Sequence, residues 1–163
     1  RLLDMGIEPF LIASTVNTII GQRLVRRLTD KKEEYQSSKS ETEAVHETLS
    51  NLLPKDEKSA EKVANKLGYQ SLPLIGDNAY TLYKPKKSKD PTKGYKGRMG
   101  LYEVIDVNEE LEELIMNRAT SSEIMHKAKE QGTVSMRQDG YLKALAGETS
   151  LEEVNRVAAL GAV

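Results

Sequence analysis

The stretch G-Y-K-G-R-M-G-L-Y-E-V, Gly94 to Val104, decides how this chain is read. Glycines at 94, 97 and 100 supply the backbone freedom or close approach that a turn needs. The apolar residues Leu101, Val104, Ile105 and Val107 then read as a strand leaving it, at about 99–107. No Lys-Ser or Lys-Thr pair follows these glycines, so they lack the form that cradles phosphate, and Gly97-Arg98 reads as a structural turn. Upstream, Lys87 and Asp90 stand with two residues between them, and Thr29 and Lys32 repeat that spacing far earlier. A zinc ribbon places cysteines at such pairs, yet the chain contains no cysteine.

With 163 residues the chain has room for one domain or two small ones. Hydrophobic residues make up 38% and charged residues 30%; one Phe, no Trp and seven Tyr predict a largely aliphatic core. A net charge of −1 gives no bulk electrostatic reason to expect nucleic acid or a membrane surface. The charge is unevenly placed. Segment 84–98 carries seven basic side chains against Asp90, a local +6, whereas 99–163 carries six basic and twelve acidic, a local −6. Lobes of opposite sign attract within a chain or across a subunit boundary; a solvated loop is the plainer reading of 84–98. No 18-residue apolar run and no signal-peptide pattern appear, and the lack of cysteine fits a reducing compartment, so the cytoplasm is expected.

Local patterns predict the elements. Ile12, Val16, Ile19 and Ile20 form a helical stripe over 9–20, opened by Pro9 and closed by Gly21. Gln22–Leu28 reads as a short strand with arginines on both faces, and 31–40 as a linker. Ser40 and Glu43 fit a capping box for a helix bearing Val45, Leu49, Leu52 and Leu53 up to Pro54. A second helix follows Asp56 and ends at Gly68, making an αα-hairpin, and 72–83 reads as a small β-hairpin. Beyond Asn108 four helices are expected: one capped by Asn108, one by a Thr120/Glu123 box, one from Ser135 to Gly147, and one from Ser150. Gly140 inside the third costs about 1 kcal/mol relative to Ala, which suggests close packing there. Met116, Met125 and Met136 read as core. His46 and His126 lie on separate helical segments and do not suggest a metal site. Arg137-Gln138-Asp139-Gly140 reads as helix packing or subunit contact, not catalysis.

Three blocks taken together carry more than any one motif. They are R-L-L-D-M-G-I-E-P-F-L-I-A-S-T-V-N-T-I-I-G-Q-R-L-V-R-R-L at the start, the glycine stretch, and S-M-R-Q-D-G-Y-L-K-A-L-A-G-E-T-S-L-E-E-V-N-R-V near the end. In this order they resemble the C-terminal region of the traffic ATPases of type IV pilus assembly and type II secretion, over roughly 1–32 and 86–160. The stretch 33–85 carries no such resemblance.

The resemblance implies a division into 1–32, the C-terminal edge of a nucleotide-binding domain (helix plus strand); 33–98, an inserted sub-lobe replacing a zinc-binding element; and 99–163, a strand plus a C-terminal helical domain. The expected class is α+β, predominantly α: a C-terminal helical bundle with a small β element and an inserted helical hairpin. It implies a nucleotide-binding role for Gln22 and Arg23, with pairing to a carboxylate equally open for Arg23. It also implies four zinc-ligand positions at Thr29, Lys32, Lys87 and Asp90, none of which offers a thiolate, so no metal is expected. Arg26 and Arg27 are expected to pair with carboxylates. The phosphate- and Mg-binding motifs of the family lie upstream of Arg1, so ATP and Mg belong to a presumed full-length protein, and this chain alone should be inactive. Implied partners are the upstream ATPase core, neighbouring subunits of a homohexamer and an inner-membrane platform protein, with the motor peripheral to the inner membrane. The alternative is a stand-alone, non-catalytic binding or accessory module using the basic loop 84–98.

Overall fold

The computed structural model describes residues 2, 4–86 and 94–158, and within them lie seven helices and four strands. This is the expected α+β class, mainly α. The elements are α1 (Pro9–Thr15), β1 (Thr18–Leu28), β2 (Lys32–Gln36), α2 (Lys39–Leu49), α3 (Glu57–Leu67), β3 (Thr81–Pro85), β4 (Tyr95–Asp106), α4 (Glu109–Met116), α5 (Ser121–Glu130), α6 (Met136–Leu145) and α7 (Leu151–Ala158). Strand β1 pairs with β4, and β2 pairs antiparallel with β3. Two compact units result: Arg1–Gln22 with Tyr102–Ser135, and Arg23–Leu101 with Met136–Val163. Helices α4 and α5 fall in the first unit, and α6 and α7 in the second.

In the first unit α1 lies on α4, burying Ile12 and Ala13 against Ile115. The Asn108 side chain accepts from Leu111 N–H at 3.1 Å and opens α4 as the sequence predicts. Thr120 and Glu123 form the predicted capping box of α5. Ile105, Leu111 and Ala128 make a second small cluster. Helix α1 stops at Thr15, five residues short of expectation, and Ile19 and Ile20 belong to β1. The run Thr15-Val16 and Thr18-Ile19-Ile20 is β-branched, which favours strand over helix once β4 offers a partner. Met116 is exposed rather than core.

The second unit holds the main core. Val25, Val45, Leu49, Leu53, Ala64, Leu72, Tyr80, Leu82, Leu101, Tyr141, Leu142, Leu151 and Val154 form one buried cluster drawn from nearly every element of the unit. Helix α2 packs on α6, and α6 on α7. Its capping box is Ser38/Glu41, two residues before the pair expected, because the helix begins at Lys39. Asp56 caps α3, and Gly68 ends it at φ 81 with its N–H reaching Ala64 and Asn65 carbonyls, both as predicted. Residues 32–36, expected as linker, form β2, and 81–85 pair with them rather than within a local hairpin. Among the described residues no helix is long and apolar enough to cross a membrane.

Candidate functional site: an arginine strand clamped to the last helix

The second unit concentrates its charge where β1 meets the start of α7. Glu153 is 1% exposed, although carboxylates are rarely buried so fully unless paired. Its partners account for this. Arg26 donates from its backbone N–H to Oε2 at 3.1 Å and from its guanidinium to Oε1. Arg156, one helical turn on, donates to both oxygens at 3.0 and 2.9 Å. Burial by itself would raise the Glu153 pKa. The hydrogen bonds from Arg26 and Arg156 outweigh it and hold the carboxyl at about 2.

The frame around this carboxylate is built from the run Gly147-Glu148-Thr149-Ser150. Ser150 Oγ accepts from Glu153 N–H at 3.2 Å, capping α7, and shares a 2.7 Å hydrogen bond with Tyr95 Oη. The Tyr95 ring lies 4.3 Å under the Arg26 guanidinium, a cation–π contact that fixes the arginine from its other side. Thr149 Oγ1 donates to the Arg26 carbonyl at 2.8 Å, and Leu28 N–H donates to the Glu148 carbonyl at 2.9 Å. Strand β1 is thus bonded directly to the loop that enters α7. Chemically, such a cluster locks two elements together; its carboxylate has no room for a substrate.

Known proteins place this architecture. The profile of the Type II/IV secretion system protein family matches residues 1–156. The chain belongs to that family. It is 39% identical over 157 residues to a type IV pilus assembly ATPase PilB of Pseudomonas aeruginosa, covering 96% of this chain and 24% of that protein. It is 37% identical over 158 residues to a type II secretion system protein E of Xanthomonas campestris pv. campestris, with the same two coverages. A type II secretion system ATPase E of Vibrio cholerae serotype O1 is 39% identical over 159 residues, 96% of this chain and 26% of that one. The chain therefore spans about a quarter of the length of these relatives.

In this secretion-family chain the residues singled out from sequence are spread over several environments. Gln22 is exposed, while Arg23 donates to the Val157 carbonyl at 3.1 Å. Arg26 pairs with a carboxylate of the acidic C-terminal segment, as expected, whereas Arg27 is exposed. Lys87 and Asp90 lie outside the described residues, as does part of the basic loop 84–98. Gly97 sits within β4 at φ 74, so Gly97-Arg98 lies in a strand rather than in a turn. The motif Arg137–Gly140 does packing work. Arg137 donates to Tyr141 Oη at 3.2 Å, Gln138 to the Thr48 carbonyl at 3.0 Å, and Asp139 pairs with Lys143. His46 contacts the Asp77 carbonyl and meets the Tyr80 ring at a right angle, and His126 faces Glu130 in the open. Glu153 itself was missed: in sequence it is one of two adjacent glutamates opening a helix, and only its place opposite Arg26 sets it apart.

The zinc site that the resemblance implies does not fit the two ligand positions described. Thr29 offers only a hydroxyl, whose Oγ1 is buried without a partner, and Lys32 offers an ammonium that is already engaged. Zinc in such sites takes thiolate or imidazole, and neither is present at these positions.

Proposed function

We propose that this chain is the C-terminal quarter of a hexameric motor ATPase that drives pilin polymerisation or protein export, and that it serves subunit contact and coupling of motion rather than ATP chemistry. The names of the relatives support the motor reading, since PilB is a type IV pilus assembly ATPase and protein E a type II secretion ATPase. The Glu153 clamp carries the assignment of role. Its guanidinium partners are neutralised from within the same unit, so the arginine strand is held as a rigid lever on α7. ATP and Mg would be bound by the rest of the longer protein at the cytoplasmic face of the inner membrane, with a membrane platform protein as the driven partner. The test is Glu153→Gln in the longer polypeptide. ATPase turnover should fall while affinity for ATP stays unchanged; an equal loss of ATP affinity would place the strand in the nucleotide site instead.

A further inference from the structure

We infer that this chain closes its loop pair, Thr29–Lys32 against Lys86 and Gly94, without a metal, with Lys32 serving as a tethered cation where the family pattern puts a zinc ligand. Lys32 Nζ donates to the Gly147 carbonyl at 2.7 Å and sits 4.7 Å from the centroid of the Tyr83 ring. Gly147 follows α6, where the unpaired carbonyls of a helix end carry partial negative charge and welcome a cation. The ring face adds a second favourable surface.

Gly147 is shaped for this meeting. It holds φ 72, and a Cβ at this position would lie 2.8 Å from Lys32 Nζ and 2.9 Å from two atoms of the Tyr83 ring. Only glycine lets the carbonyl, the ammonium and the ring converge here without strain.

The closure itself is carried by backbone. Strand β2 pairs with β3 from Lys32 opposite Pro85 to Gln36 opposite Thr81. Past the ladder, Lys86 N–H reaches the Lys31 carbonyl at 3.4 Å, and Thr29 N–H donates to the Gly94 carbonyl at 3.1 Å. A Cβ on Gly94 would fall 2.1 Å from the Pro85 Cβ, so these two loop segments already touch. Buried Leu82 and Tyr80 anchor the β3 side in the main core. A metal at this place would have to draw Lys32 off Gly147 and Tyr83, remove its proton, and accept the Thr29 hydroxyl as a ligand, each step unfavourable for zinc.

The test uses the purified 163-residue chain grown with zinc present. Metal analysis should find no stoichiometric zinc, and a strong chelator should leave the thermal midpoint in place. Lys32→Met should lower that midpoint by about 2–4 °C, the shift expected of a modest contact in a protein of this size, and Lys32→Arg by less. Gly147→Ala should lower it further, since it both strains the backbone and displaces the amine. Stoichiometric zinc, a chelator-dependent midpoint, or a Lys32→Met protein as stable as its parent would each overturn the inference.

Discussion

Glu153 makes the stability of the second unit depend on acid in a direction that can be worked out. Its carboxyl is depressed from an ordinary value of 4.5 to about 2. The stabilisation it supplies is thus whole above about pH 5 and is lost as pH falls from there through 2. On the order of 3 kcal/mol is at stake by linkage. Denaturant melts taken across this range should show that loss, and Glu153→Gln should flatten it while lowering stability near neutrality. A mutant with an unchanged acid limb would show that other carboxylates dominate. Gly140 offers a second test at the same scale. It is buried in α6, and a Cβ there would stand 2.4 Å from Val154 Cγ1 and 3.2 Å from Leu101 Cδ1. Alanine would gain about 1 kcal/mol of helix propensity, against about 1–3 kcal/mol for overpacking. Gly140→Ala should therefore destabilise by up to about 2 kcal/mol, and Val154→Ala in the same background should cost less than it does alone, a coupling that a double-mutant cycle measures.

Elements whose ends carry their own chemistry were legible before any coordinates. Asn108, Asp56 with Gly68, and Thr120 with Glu123 name helix ends through hydrogen bonds made within four residues, from side chains at the starts and from the Gly68 backbone N–H at the end of α3, and all three stand where expected. Gly140 likewise announced a close helix crossing. What stayed hidden depends on distant partners. Strand β2 is Lys-Glu-Glu-Tyr-Gln, mostly exposed, and it becomes a strand only because β3 arrives some fifty residues later. Glu153 is ordinary until Arg26 is set against it. Nothing in the local sequence encodes such pairs, so helices were read better than strands and caps better than clamps. The same contrast predicts which leucines matter in α2 and its exit. Leu49 is fully buried against the main core, while Leu52, which sequence placed beside it, is only partly buried beyond the helix end. Leu49→Ala should cost roughly 2–5 kcal/mol and Leu52→Ala clearly less; equal losses in chemical denaturation would show that this core is not organised around α2 and α6.

For the molecule as a whole, the described helix ends bear on how readily the chain would take a phosphate. Phosphate is bound most readily where several backbone N–H groups at a helix start point outward unpaired and add their dipoles. At five of the described helix starts one of those groups is already taken by a capping side chain. Ser38, Asp56, Asn108 and Thr120 accept from the first turns of α2, α3, α4 and α5, and Ser150 accepts from the first turn of α7. The same first turns carry Glu41, Glu57, Glu109, Glu123 and Glu152 among others, and α6 carries Asp139, so negative charge stands at six of the seven helix starts. A triphosphate brought to α2, α3, α4, α5 or α7 would compete with a cap and face a carboxylate, where the favourable dipole is worth only about 0.3–1 kcal/mol. A micromolar complex needs about 8 kcal/mol. Titration calorimetry of the purified chain with Mg-ATP should accordingly show no saturable micromolar binding, and the chain should not hydrolyse ATP by itself. If saturable heat at that affinity appears, a nucleotide site exists among these 163 residues, and Arg23 with Gln22 becomes the first pair to substitute.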